Sequence, residues 1–339
     1  MRTGLRVATG LIGGLVLLAT AVWGYGALWF QGPDALSPRL ALLVGWTACV
    51  LAGLGALARR RWPPGLVYGL ALVGLLGWWS TLTPSNDRDW APDVARLATG
   101  RIEGDRLVMR NVRDFDWRTA DEATERWEDR TYDLRRLEGV DVFFATWGVP
   151  GIAHVIVSFT FTDAPPLAFS IEIRRERGEA YSALAGFFRQ YELIIVAADE
   201  RDVIGVRSNR RGEDVRLYRL RIGPSHARQL IGYYVASLNA LAETPEFYNT
   251  LLDNCTTLAF GYAREIWPTL RPDWRVVLSG FGPEYAYAIG AVDTSLPFAE
   301  LAERGRIAER ARAADGAPDF SARIREGVPR PRADGPPAG

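Results

Sequence analysis

Three stretches without a single charged residue, Val7 to Phe30, Leu40 to Ala58 and Trp62 to Asn86, follow one another at the start of the chain. A helix needs about 20 apolar residues to cross a hydrocarbon core, and each stretch can supply them. Three such runs in succession argue against a buried hairpin in a soluble protein. The first run is also far longer than the about 7 to 15 residues of a cleaved signal-peptide core. Pro63, Pro64 and Pro84 confine the third helix to roughly 65–82. The expectation is three membrane-spanning helices in residues 1–86.

Arginines in the short loops orient them. Arg2 and Arg6 precede the first run and Arg59, Arg60 and Arg61 fill the second loop, whereas the first loop has only Arg39 beside Asp34. The N-terminus and the second loop are therefore expected in the cytoplasm of a bacterial cell. Three crossings then deliver the rest of the chain to the far side of the inner membrane. Trp23, Tyr25, Trp29, Trp78 and Trp79 suit the outer aromatic belt.

Beyond residue 86 apolar and charged residues alternate, punctuated by Gly and Pro. Six of the forty arginines and one of the forty acidic residues precede that point, so the remainder carries a net charge of −5. A charge-mixed domain of that sign lacks the footprint of a nucleic-acid binder. The chain has no lysine, which excludes Schiff-base chemistry. With only Cys49, Cys255, His154 and His226 available, no disulfide framework, metal or cofactor is expected.

Strands are predicted at 106–112, 140–147, 154–161, 167–174, 193–198 and 215–221, rich in β-branched and aromatic residues. Helices are predicted at 120–137, 179–190, 225–243 and 256–267. This is an α+β domain spanning 87–302, followed by a tail at 303–339 rich in Arg, Ala and Pro whose last dozen residues read as disordered.

The turn Asp163 to Pro166 joins two alternating runs, and the period of two sorts their faces. Val155, Val157, Phe159 and Phe161 share one with Leu167, Phe169, Ile171 and Ile173. His154, Ile156, Ser158 and Thr160 share the other with Ser170, Glu172 and Arg174. Plausible registers set Glu172 opposite or diagonal to His154, within reach of its ring; the competing reading pairs Glu172 with Arg174 as a solvated ion pair.

Asp253 or Asn254 reads as the cap of the helix that follows, which puts Cys255 in its first turn. The positive end of the helix lowers a thiol's pKa there, and free N–H groups at Asn254 and Thr256 are candidates to hold an oxyanion. Alone, Cys255 is a small buried hydrophobe and His154 a satisfied strand histidine; together they are a candidate nucleophile and base. His226 is the reserve base. Cys49 reads as packing and Asp199-Glu200-Arg201-Asp202 as a salt-bridged turn.

The stretches NVRDFDWRT, GIAHVIVSFTF, FSIEIRRERGEAYSALAGFFRQYEL, DERDVIGVRSNRRGEDVRLYRL, PEFYNTLLDNCTT and FGPEYAYAIGAVDTSLPF resemble the Lnb N-terminal periplasmic domain family, named for the Lnb lipoprotein N-acyltransferases. The resemblance covers roughly residues 105–300, with DFSARIREGVP a further outlier. It implies a catalytic dyad of His154 and Cys255 and, from the order histidine strand before cysteine helix, a circularly permuted papain-like fold with an antiparallel sheet, like lecithin retinol acyltransferase and the NlpC-like hydrolases. It further implies acyl transfer from a lipid or lipoprotein ester, for which the leading expectation is a thioester on Cys255, with Glu172, placed by the hairpin register, orienting His154. The rival expectations are a cell-wall amidase or cysteine peptidase with the same dyad, and an envelope protein without catalysis.

Overall fold

The computed structural model describes residues 2–59, 62–149 and 151–331. The chain divides into two compact units, one of residues up to Ser85 together with Tyr181–Tyr191, the other of Asn86–Ala180 and the chain from Glu192 onward.

The first unit is built on helices α1 (Arg2–Gln31), α2 (Leu36–Arg59) and α3 (Trp62–Thr81). Small residues let them approach, as expected where apolar surroundings provide no hydrophobic drive between helices. A methyl group on Gly24 would run into the Trp46 indole, whose Nε1 donates to the Ala21 carbonyl at 3.1 Å. The hydroxyls of Thr20 and Tyr68 meet at 2.6 Å. Two of the helices, over Gly10–Gln31 and Leu36–Arg59, are long and apolar enough to cross a membrane. The expectation of three spans is thereby reduced to two: α3 forms, but Pro63 and Pro64 at its start and Trp78, Trp79, Ser80 and Thr81 at its end dilute its apolar centre.

The second unit is α+β. Its strands are β1 (Thr99–Glu103), β2 (Arg106–Arg113), β3 (Asp116–Trp117), β4 (Ala123–Thr124), β5 (Trp127–Asp133), β6 (Leu137–Thr146), β7 (His154–Phe161), β8 (Leu167–Arg174), β9 (Glu192–Asp199) and β10 (Asp214–Arg219). The main sheet runs β1-β2-β9-β8-β7-β6-β10, with β5 on β2. It is mixed rather than antiparallel, because β2 and β9 meet in parallel at Arg113 and Ala198. Helices α4 (Glu200–Gly205), α5 (Pro224–Glu243), α6 (Thr257–Ile266), α7 (Trp274–Val277), α8 (Gly282–Ala288), α9 (Phe298–Gly305), α10 (Ala308–Ala313) and α11 (Phe320–Arg323) complete it.

Both faces of the sheet are covered, so every residue of β7 is buried. Val155, Val157 and Phe159 pack with Leu230, Tyr234 and Leu238 of α5. Ile156, Ala168 and Ile194 pack with Val203 and Ile204 of α4 and with Ile307, Phe320 and Ile324 from the C-terminal segment. Residues 303–331 are thus a packed strap over one face. The disorder expected for the last dozen residues falls mainly on 332–339, outside the described residues; within that dozen, Val328 is buried and Arg330 pairs with Glu138.

Two predicted helices are absent. Residues 120–137 instead form β4, β5 and a single 3₁₀ turn at Leu134–Arg136. The charges of WEDRTYD, which fit a helix face, alternate on an outer strand where Tyr132 alone is fully inward. Residues 179–190 hold only the turn Ala185–Phe187; Gly178 and Gly186 weaken a helix there, and the segment packs with the apolar helices. Unforeseen were β1 and the helix beginning at Glu200, which Asp199 caps by accepting from the Arg201 N–H.

Candidate active site

The entry to β7 is fixed by two glycines. Gly151 has φ 79°, a conformation that side chains resist, and Gly280 lies so close that a methyl group there would sit 2.6 Å from the Gly151 carbonyl carbon. Gly280 N–H donates to Gly151 O at 3.0 Å, and Ala153 N–H donates to Ser279 Oγ at 2.8 Å. The next residue is His154.

The β7–β8 register pairs Ile156 with Ser170, and one further pleat sets His154 against Glu172. His154 Nε2 lies 2.7 Å from Ser170 Oγ and 3.1 Å from Glu172 Oε1. The Ser170 hydroxyl donates to Glu172 at 2.7 Å, so its oxygen accepts from Nε2–H. The network therefore selects the tautomer protonated at Nε2 and leaves Nδ1 outside it.

Glu172 is held in turn by Arg207, whose NH2 donates to Oε1 at 2.9 Å; Arg207 NH1 reaches Glu213 at 3.2 Å. Arg207 is buried and sits in a π-helical turn, Val206–Arg210, continuing α4. Such a turn inserts a residue and re-aims side chains, and it recurs at functional sites. Neither Arg207 nor Glu213 was legible as part of the site, since no spacing in GVRSNRRGED points across the sheet. Arg174, the rival partner of Glu172, turns away instead: its guanidinium lies 4.2 Å over the Trp90 ring and donates to the Val94 and Ala95 carbonyls.

Cys255 is buried at the start of β7, its sulfur 4.0 Å from Ala153 O. It precedes α6 by two residues and is not in the first turn. Asn254 Oδ1 accepts from the N–H groups of Thr256 and Thr257 at 2.9 and 3.0 Å, while Asn254 N–H donates to Thr257 Oγ1 at 3.0 Å. Asn254 thus closes the turn that leads into α6, and the Thr256 N–H expected for an oxyanion is already engaged. The N–H of Cys255 has no hydrogen-bond partner among the described residues.

Burial and the nearby Arg207 cation work to lower the pKa of His154, but Glu172 and Cys255 outweigh them and raise it to about 9. Burial works to raise the Cys255 thiol; His154, the Val155 N–H and the Thr256 hydroxyl lower it below its ordinary value. Burial likewise opposes ionisation of Glu172, yet His154, Arg207 and Ser170 hold it well below the usual carboxylate range. These shifts all favour a thiolate beside an imidazolium.

The reserve base, His226, packs on Trp267 with ring centroids 5.2 Å apart, at the opposite end of α6 from Cys255. Cys49 lies among the apolar helices. Exposed apolar side chains flank the site residues along the chain: Val149 and Ile152 before His154, Leu251 and Leu252 before Cys255, and Trp274 and Leu278 before Gly280.

Residues 123–280 match the family model described as the Lnb N-terminal periplasmic domain. The match takes in His154, Ser170, Glu172, Arg207, Glu213 and Cys255 and shows, over that segment, the resemblance carried by the motifs. With the apolar helices ahead of it, the chain fits a membrane protein with a periplasmic domain. No curated protein and no solved structure matches the chain.

Proposed function

We propose that this protein is a membrane-anchored thiol acyltransferase that moves an acyl chain from a lipid or lipoprotein ester to an amine through a thioester on Cys255. The observation that carries the reading is the His154–Glu172 pair at 3.1 Å together with the lowered pKa of the Cys255 thiol beside it, which supports an ion pair poised for nucleophilic attack. The Cys255 thiolate attacks the ester carbonyl, and the oxyanion draws on the Cys255 N–H. Collapse breaks the C–O bond; the departing alkoxide takes the proton of the His154 imidazolium, leaving S-acyl Cys255. An amine then attacks the thioester, neutral His154 receives its proton, and the thiolate leaves with the ion pair restored.

The exposed apolar side chains flanking the site residues favour a lipid donor over a stem peptide, which an open polar cleft would suit. In this reading the domain is periplasmic and is held at the membrane by the apolar helices. The permuted papain-like relationship and the inner-membrane location belong to the same proposal.

Purified protein in detergent, given a diacylglyceryl lipopeptide with a free N-terminal amine, should shift one acyl chain to that amine at constant total mass. An untouched lipopeptide together with cleavage of a peptidoglycan stem peptide would replace this reading with an amidase.

A further inference from the structure

We propose that residues 181–191 form an interfacial foot that rests its outer face in the headgroup–acyl boundary of the bilayer. The segment YSALAGFFRQY is inserted between β8 and β9, yet it packs with the apolar helices. It is latched there at the C-terminal ends of α1 and α3. The Phe188 ring stacks on Phe30, with centroids 5.4 Å apart and planes at 17°, and fills a notch that exists because residue 26 is glycine. Arg189 adopts φ 57° and lies 4.8 Å over the Trp79 ring. Its NH1 donates to the Trp79 carbonyl at 2.8 Å, and its own carbonyl accepts from Gln31 Nε2 at 2.9 Å. A cation at the last carbonyls of α3 complements the helix dipole.

The outward side of the latched segment has the opposite character from a loop in water. Its exposed residues are Tyr181, Ala183, Leu184 and Phe187, all apolar or aromatic, with Leu184 66% and Tyr181 57% exposed. No acidic residue occurs in the segment, and its one charge, Arg189, is turned inward onto α3. A soluble loop would present this surface at a cost; beside helix ends it continues the exposed apolar surface of α1 at Val22 and Trp29. A tyrosine, a leucine and a phenylalanine above an arginine-capped helix end match the anchoring chemistry of a membrane interface. The occupant of this face is therefore lipid.

The inference rests on the membrane placement of the helices and is independent of the acyl-transfer chemistry. The test uses the full chain in lipid nanodiscs with Cys49→Ala and Cys255→Ala, and a nitroxide on Leu184→Cys, Val44→Cys or Asp319→Cys. Oxygen should collide with the label at 184 several-fold more often, relative to a water-soluble nickel chelate, than with the label at 319, though less than at 44. Nickel collisions at 184 equal to those at 319, with 44 still oxygen-rich, would overturn the foot alone. A label at 44 that is also nickel-rich would overturn the membrane placement itself. A label at 184 closed to both colliders would show a protein partner in place of lipid. Gly26→Ala should drive Phe188 from its notch and raise the nickel accessibility and mobility of the label at 184; no change would remove the latch from the argument.

Discussion

One face of β7 carries two buried acid–arginine clusters, four residues apart, and they end differently. At Ser158 the hydroxyl donates to Glu200, Arg325 bridges Glu200 and Asp141, and Arg219 closes on Asp141 at 3.3 Å. Each carboxylate there meets guanidinium, and the cluster ends on a serine hydroxyl rather than on an imidazole and a thiol. At His154 the chain Glu213–Arg207–Glu172 is built from the same parts, but its last carboxylate faces an imidazole and beyond it a thiol. The first arrangement clamps the C-terminal strap to the sheet; the second transmits a fixed charge to a group that titrates. Burial and arginine pairing mark both clusters, so neither criterion identifies a reactive site. The identity of the terminal group does.

The sharpest way to break the contrast is at that terminus. Cys255→Ser should lower acyl transfer by about 10³-fold or more, because a hydroxyl does not ionise beside His154, while the thermal midpoint in detergent stays at its wild-type value. Retained transfer would move the nucleophile elsewhere. The other cluster should respond in the opposite sense. Arg325→Met leaves Glu200 and Asp141 buried with fewer partners and should cost about 3–5 kcal/mol of stability, with the alkylation rate of Cys255 by iodoacetamide unaffected below the melting transition. A slowed alkylation rate would couple clusters that the comparison treats as separate.

Glu172→Gln tests the link between charge and titration. Transfer should fall by about 10²-fold, and the basic limb of its pH profile should move down from about 9, since Glu172, with Cys255, raises His154 against burial and Arg207. A limb that stays near 9 would show that Glu172 does not set the imidazole. In the wild type the sign is fixed by the same shift. The folded pKa of His154 lies above its ordinary 6.5, so the pair's stabilisation is complete below that value and is lost as pH rises through about 9. Denaturation midpoints across this window should decline for the wild type and stay flatter for His154→Gln.

The smallest expected effect is at the loop contact. Gly280→Ala should cost about 1–3 kcal/mol by overpacking against Gly151 and disturb the Ala153 and Ser279 hydrogen bond before it touches the Glu200 cluster. Thermal unfolding and Cys255 alkylation, measured together, separate the two consequences.

Period-two alternation on either side of Asp163–Pro166 was enough to put His154, Ser170 and Glu172 on one face, because a strand's side chains obey a local rule that the rest of the chain cannot alter. The apolar helices and the strands at 154–161 and 167–174 were legible for the same reason: composition and period act over a few adjacent residues. Arg207, Glu213 and Arg325 were not, since a buried arginine is tolerated only where carboxylates from other strands meet it, and no local pattern states which strands will meet. The 120–137 segment shows the limit from the other side, for its charges fit a helix until β2 offers a ladder to pair with. What the sequence alone determined, then, is which residues share a face and which stretches avoid water. Which carboxylate faces which base, how the strap covers the sheet, and the departure of 181–191 from its flanking strands to join the helices were decided by tertiary structure, because each depends on burial shared between segments far apart in the chain.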